Sequence, residues 1–146
     1  MNTTELDDII HAPGFVGTFP FDMLPGRPAG NHSIVINTSP SKDPGSHWLA
    51  LIFKNEKFYF VDSYGRDPHD QTYSRRFKRA IKKYTRGSMV VHNDKWLQSL
   101  SSNVCGEYCV YFIQETLRVG FEKMLAVFTD DFTYNDSLVL SYVENM

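Results

Sequence analysis

The sequence predicts an α+β fold, with a central mixed or antiparallel sheet and helices on both of its faces. Residues 48–53 and 58–61 are nearly all apolar, as in buried central strands, and the four residues between them suit a hairpin. Residues 74–85 place apolar side chains on one helical face, and residues 105–119 form a helical segment with few charges. With 146 residues, no repeat and no linker, the chain is expected to form one domain over residues 1–146.

The remaining elements follow from shorter signals. Residues 4–11 suit a short helix, and the Pro- and Gly-rich passage over residues 13–30 is expected to depend on packing for any order. Further predictions are strands over residues 33–37 and 88–92, loops over 39–45, 63–72 and 95–104, and a final amphipathic helix over 138–143.

Charge is unevenly distributed along the chain. The formal net charge of −2 predicts no overall attraction to nucleic acid, yet seven of the 15 Lys and Arg residues fall between Arg75 and Arg86. The helix predicted there has a basic face that suits a phosphate backbone, so DNA is a candidate partner. A face that is simply solvated is the alternative. The side chains considered for DNA are Arg75, Arg76, Arg79, Lys82, Lys83 and Arg86, with Lys78 on the same helix.

The cysteines and the absence of export signals limit the compartment. Cys105 and Cys109 are one helical turn apart, where a disulfide would strain the backbone, so both thiols are expected to be reduced. The sequence shows neither a signal-peptide pattern nor an apolar run of about 20 residues, so we expect neither secretion nor a membrane span. Two cysteines without a second pair of ligands do not suggest a zinc site, and no metal is expected.

Four residues have the chemistry of a cysteine hydrolase. Cys105 precedes an apolar helical run, so it is expected at a helix N-terminus, where the dipole and exposed N–H groups favour a thiolate. His47 would accept the thiol proton, and Asp62 would orient the imidazole. Gln98, seven residues before Cys105, would donate to an oxyanion together with the backbone N–H of Cys105. This chemistry requires no cofactor.

Each of these residues also has an ordinary structural interpretation. Cys105 suits a small buried hydrophobe, as does Cys109, and His47 suits a hydrogen-bonded structural histidine. Asp62 suits a turn at the end of a strand, and Gln98 suits the protein surface. Their combination is what indicates catalysis.

Two neighbouring residues are expected to shape a substrate channel. Trp48 would fix the imidazole and wall the channel, although as an isolated feature it also suits the core. Gly106 would let a substrate backbone approach closely, because it has no side chain.

The chain resembles the adenovirus endopeptidase (adenain) family, with relatives in large DNA viruses and in self-synthesising transposons of the Maverick/Polinton type. The motifs that carry the resemblance are Phe15-Val16-Gly17-Thr18-Phe19, Ile36-Asn37-Thr38, His47-Trp48, Asp62-Ser63-Tyr64-Gly65, Gln98 at its spacing from the nucleophile, and Cys105-Gly106 with Cys109. The order His, Asp, Gln, Cys is also that of this family and of proteases for ubiquitin-like proteins. Papain-type enzymes have the order Gln, Cys, His, Asn.

The resemblance implies a permuted papain-like fold. The nucleophile helix would cross the sheet, and His47 and Asp62 would project from strand ends towards its N-terminus. It also implies an endopeptidase that cleaves viral or transposon precursor proteins near small residues, often glycine pairs, in virions or in the host nucleus or cytoplasm. Asp62 replaces the glutamate of the adenoviral enzymes, as in relatives that process ubiquitin-like proteins.

The resemblance bears on activation as well. The adenoviral enzymes are activated by DNA and by a viral peptide that is joined through a disulfide. In this chain the cysteines are confined to the predicted nucleophile helix, so a disulfide-linked activator is not expected. DNA and a non-covalent peptide remain candidate activators. The protein is expected to act on polypeptides as a monomer.

Three other functions remain open at this point. A protease for ubiquitin or a ubiquitin-like modifier would use the same catalytic set with a broad docking surface. An acetyltransferase of the bacterial effector type would use it too, although nothing suggests an acetyl-CoA site. A binding module built on the basic helix, with a vestigial site, would not be an enzyme.

Overall fold

The structure is a computed structural model that describes residues 1–42 and 47–146. Its elements in chain order are α1 (Thr3–Ile9), β1 (Phe15–Pro20), a 3-10 turn (Phe21–Met23), β2 (His32–Asn37), β3 (Trp48–Lys54), β4 (Lys57–Val61), α2 (Arg75–Tyr84), β5 (Met89–His92), α3 (Cys105–Val119), α4 (Phe121–Ala126) and α5 (Phe132–Glu144). Residues 43–45 of the loop predicted over 39–45 lie outside the described residues.

The strands of the described residues form one five-stranded sheet in the order β1-β2-β3-β4-β5. The three central strands are antiparallel neighbours, and β1 and β5 join the edges in parallel pairings. The sheet is therefore mixed, which confirms the predicted fold class.

A two-residue turn joins β3 to β4. Lys54 pairs with Lys57 across the turn, and Asn55 and Glu56 between them have φ values of 54° and 66°. Positive φ at both central residues is the type I′ geometry, whose twist matches that of the flanking strands. The hairpin predicted here is confirmed, and it places the end of β4 beside the start of β3.

Alternation along β3 divides the core into two layers. Leu49, Leu51 and Phe53 face one side of the sheet, whereas Ala50 and Ile52 face the other. The first layer packs against the apolar stripe of α2, and the second packs under α3 with contributions from α1, α4 and α5. Helices therefore cover both faces, as predicted, and the bounds of α3 agree with the predicted helix over residues 105–119.

The sequence prediction missed β1 and α4. β1 lies within the Pro- and Gly-rich passage, where Gly17, with a φ of 147°, stands at a register shift against β2 and interrupts the alternation of a strand. α4 follows α3 directly after Gly120, whose φ of 95° turns the chain between the two helices. Helix and strand propensities count against glycine, yet at both positions the backbone adopts a positive φ that favours it.

The C-terminal helix is longer than the predicted span of residues 138–143. It begins after Asp131, whose carboxylate accepts a hydrogen bond from the Tyr134 N–H at 3.0 Å. Its first turns have a mixed polar and aromatic pattern that hides the helical period. No helix in the described part of the chain combines the length and apolarity needed to cross a bilayer.

Candidate active site

Cys105 is the first residue of α3 and is 7% exposed. Burial would raise the pKa of its thiol, but hydrogen bonding to His47, the His47 charge and the Trp48 backbone N–H together bring that pKa below its usual range. The positive end of the α3 dipole acts in the same direction. The first turn of α3 therefore favours a thiolate.

His47 immediately precedes β3, and its Nε2 lies 2.8 Å from Asp62 Oδ1. Because Nε2 faces Asp62, Nδ1 is the ring nitrogen that remains for the hydrogen bond to the Cys105 thiol. The ring stacks on Tyr64, with centroids 4.7 Å apart and planes 17° apart. Asp62 thus holds the imidazole in the plane of its ring, and Tyr64 holds it by stacking on its face.

The charge state of His47 depends on these neighbours. Burial opposes the protonated ring, but the hydrogen bonds and negative charges of Asp62 and Cys105 raise the pKa of His47 to about 9. The raised pKa of His47 and the lowered pKa of Cys105 both favour the imidazolium–thiolate pair, the reactive form of a cysteine nucleophile.

Asp62 follows the last residue of β4 and is fully buried. Its Oδ1 accepts from His47 and from the Tyr64 N–H at 2.9 Å, and its Oδ2 accepts from Arg66 Nε at 2.8 Å and from the Tyr73 hydroxyl. Burial would raise the pKa of Asp62, but His47, Arg66 and Tyr73 lower it to about 2. The carboxylate is therefore ionised across the range in which His47 titrates.

The backbone of Asp62 is held from the neighbouring strand. Asn93 follows β5 and accepts from the Asp62 N–H at 3.1 Å, while its side-chain N–H donates to the Asp62 carbonyl at 2.7 Å. β4 and β5 are parallel, so the residues after their carboxyl ends are neighbours. Asn93 was not predicted from the sequence, although its position directly after a strand was a usable signal.

Gln98 is 1% exposed, so the surface alternative for this residue is wrong. Its Oε1 accepts from the Ser63 hydroxyl at 2.6 Å, and its Nε2 donates to the carbonyl and hydroxyl oxygens of Ser102 at 3.3 and 3.2 Å. Contacts of that length are weak. Donation to an oxyanion would require Nε2 to exchange Ser102 for the substrate oxygen, and the role of Gln98 stays a prediction.

Trp48 and Gly106 pack against each other. A Cβ on Gly106 would lie 3.3 Å from Trp48 Cε3 and 3.2 Å from the Met1 Cβ, so the indole and Met1 make the close approach that glycine permits. Trp48 also lines a cavity of about 450 Å³ together with Thr18 and Asn37. The structure thus places the Trp48 indole against the residue that follows Cys105, and the predicted substrate contacts of both residues remain predictions.

The basic residues predicted for DNA lie on the other face of the sheet. α2 packs there through Phe77 and Ile81, and its Lys and Arg side chains point outwards. They line a cavity of about 620 Å³ whose basic members are Lys78, Arg79, Lys82, Lys83 and Arg86. The structure does not bring this basic surface to Cys105, so any effect of an anion on catalysis would have to cross the sheet.

The second cysteine, Cys109, is not part of the catalytic set. Cys109 is fully buried, and burial raises the pKa of its thiol well above its usual range. Within residues 1–42 and 47–146, no cluster of three or more His, Cys, Asp or Glu side chains is arranged to hold a metal ion.

Comparison with known proteins places this geometry in a family. A profile described as adenovirus endoprotease matches residues 15–129. The protease of bovine adenovirus 4 is 30% identical over 111 residues, covering 68% of this chain and 55% of that protein. The protease of bovine adenovirus 2 is 29% identical over 116 residues, covering 73% of this chain and 56% of that protein. The chain thus spans about half the length of the curated relatives it matches.

A solved structure shares the fold. ChlaDub1 from Chlamydia trachomatis superposes with a TM-score of 0.52 at 15% identity, covering 79% of this chain and 58% of that one. The family profile covers more than half of the chain and includes His47, Asp62, Gln98 and Cys105. The chain therefore belongs to the adenovirus endoprotease family.

Proposed function

We propose that this chain is a cysteine endopeptidase in which Cys105 is the nucleophile, His47 transfers protons and Asp62 orients the imidazole. The hydrogen-bonded series from the Cys105 thiol through His47 to Asp62 carries this proposal. Family membership supports peptide-bond hydrolysis as the reaction.

The reaction would proceed through a thioester. The Cys105 thiolate attacks the peptide carbonyl carbon, and the negative charge moves to the carbonyl oxygen. Backbone N–H groups at the start of α3 and the amide of Gln98 donate to that oxyanion. The His47 imidazolium then protonates the leaving amine, and the neutral ring later takes a proton from the water that hydrolyses the thioester.

We infer a preference for small residues, often glycine pairs, in viral precursor proteins within virions or infected host cells. The packing of the Trp48 indole against Gly106 supports this inference, because it places a bulky ring beside the residue that follows the nucleophile. A side chain beyond hydrogen at the scissile bond would meet the indole. Whether the precursor is viral or belongs to a transposon does not alter this chemistry.

A peptide library is the direct test of the proposed function. Digestion with and without DNA is expected to release fragments cut next to glycine or other small residues. A parent enzyme that cuts no peptide under either condition would contradict the proposal. Covalent capture of Cys105 by an aldehyde of ubiquitin or of a ubiquitin-like modifier would instead favour the alternative function, a protease for such modifiers.

Asp62→Ala is expected to leave partial activity. The residue orients His47 without touching substrate, and an orienting carboxylate costs about 100-fold less on removal than the nucleophile does. The measurement is kcat/KM on one cleaved peptide, with Cys105→Ala as the background. Asp22→Ala is the control, because its carboxylate accepts hydrogen bonds as that of Asp62 does, but from the exposed residue Ser41. A loss as large as that of Cys105→Ala, or no loss at all, would contradict the assigned role.

We also propose that α2 binds DNA, as an activator or a tether. The triple change Arg79→Ala, Lys82→Ala, Lys83→Ala is expected to weaken binding and to reduce the slope of log affinity against log salt by about one unit per lost phosphate contact. The same change at the exposed residues Lys42, Lys95 and Lys123 is the control. An unchanged slope in the α2 variant would show that the basic face of α2 is solvated and does not contact phosphates.

A further inference from the structure

Arg66 contacts both of the groups that hold the catalytic imidazole. Its Nε donates to Asp62 Oδ2 at 2.8 Å, while Asp62 Oδ1 accepts from His47. Its guanidinium carbon also lies 5.3 Å from the centroid of the Tyr64 ring, and that ring stacks on His47. One side chain thus supports the in-plane partner and the face-on partner of the same ring.

The guanidinium is itself fixed by further contacts. Its carbon lies 4.8 Å from the Tyr73 ring, and its Nη1 donates to the Thr72 hydroxyl at 3.2 Å. The Tyr73 hydroxyl donates to the same Asp62 oxygen as Arg66 does. These contacts use both the planar fork and the face of the guanidinium, which a lysine ammonium does not offer.

A buried carboxylate with a short side chain needs such anchoring. Asp62 is fully buried, so an Oδ2 without donors would carry an uncompensated charge. The carboxylate would then rotate or take up a proton, and either change weakens its hydrogen bond to His47. The Tyr64 ring would lose its support at the same time.

We propose that Arg66 is a positioning residue for His47, acting through Asp62 and Tyr64 by the geometry of its guanidinium rather than by its charge alone. Tyr73 assists it on Asp62 Oδ2. The effect on turnover rests on the proposed peptidase function, whereas the effect on the ionisation of Cys105 does not.

The proposal predicts a change in the titration of the Cys105 thiol. Without a fixed Asp62 the imidazolium is less stable, so the thiolate forms at a higher pH. The titratable and charged groups that face this site are Asp62, Arg66, Tyr64 and Tyr73 around His47, Glu107 near the thiol, Asp70 near the guanidinium, and Asp136 of α5 near Tyr64. Substitution of Arg66 alone leaves the other members of this set in place.

The experiment follows thiolate absorbance in the ultraviolet below about pH 8, where ordinary thiols and tyrosines are still protonated. Cys105→Ala supplies the background, and burial keeps the Cys109 thiol silent in this range. Arg66→Gln is expected to move the midpoint upwards and to lower kcat by about tenfold while KM stays nearly constant. Arg66→Lys is expected to behave like Arg66→Gln.

Arg118→Gln is the matched control. Arg118 binds the Glu115 carboxylate at 2.7 Å, and Tyr142 donates to the same carboxylate, as Tyr73 does at Asp62. This cluster lies at the far end of α3, so the midpoint and kcat are expected to be unchanged.

Several outcomes would overturn the proposal. Parental titration in Arg66→Gln would remove any role for the residue, and parental titration in Arg66→Lys would show that charge suffices. If Arg66→Gln fails to fold, Tyr73→Phe is expected to raise the midpoint by a smaller amount, and an unchanged midpoint in Tyr73→Phe would overturn the proposal. A shifted midpoint in a protein that cuts no peptide would retain this inference while removing the proposed function.

Discussion

Cys105→Ala is expected to abolish peptide hydrolysis, with a loss in kcat of about 10⁶-fold, because the atom that forms the thioester is gone. Cys109→Ala is the matched control: it removes a thiol one turn away that is fully buried and protonated. That variant is expected to keep the parental kcat and to lose some stability, since a buried sulfur leaves a small cavity. The measurements are kcat on one cleaved peptide and the thermal midpoint of each variant.

The two cysteine variants test two different roles, nucleophile for Cys105 and packing for Cys109. Peptidase activity in Cys105→Ala close to that of the parent would refute the assignment of the nucleophile. Loss of activity in a folded Cys109→Ala protein would show that the second thiol has a role beyond packing.

His47→Ala is expected to lower kcat about as far as Cys105→Ala does. The imidazole activates the thiol and later protonates the leaving amine, so its loss disables the same step. The effects of substituting residues that act as a unit are not additive, so the double variant is expected to be no slower than either single variant. Kinetics of the two single variants and the double variant test this directly.

His92→Ala serves as the control for a histidine near the same sheet edge. His92 ends β5, and its Nδ1 contacts the Asn93 carbonyl at 3.0 Å rather than the thiol. Activity in His47→Ala near the parental level, or additive losses in the double variant, would contradict a shared mechanism.

The strands and helices that position the nucleophile were predictable because their signals are local. The apolar runs of β3 and β4 and the low charge of α3 each reflect burial on the sheet. β1 and α4 were missed because of Gly17 and Gly120. Propensity rules treat glycine as the end of a strand or helix, whereas here it accommodates a register shift or a positive φ.

The site was predictable as a set of reactive residues and not as a set of contacts. Cys105, His47 and Asp62 stand out by residue type, and the sheet brings them together across long sequence distances. Asn93 could have been noticed by its position directly after β5. Arg66 and Tyr73 are common loop residues, so nothing in their spacing marks them. Their roles follow from the turn after β4, which no local pattern specifies.

Alkylation at mildly acidic pH tests the central claim most directly. Iodoacetamide at about pH 6 reacts with a thiolate that is stabilised by an imidazolium and hardly at all with an ordinary thiol. Intact mass and peptide mapping are expected to show rapid modification of Cys105 alone in the parent and slow modification in His47→Ala. Equal rates for the parent and His47→Ala would mean that the Cys105 sulfur does not share a proton with His47, and the proposed catalytic mechanism would be wrong.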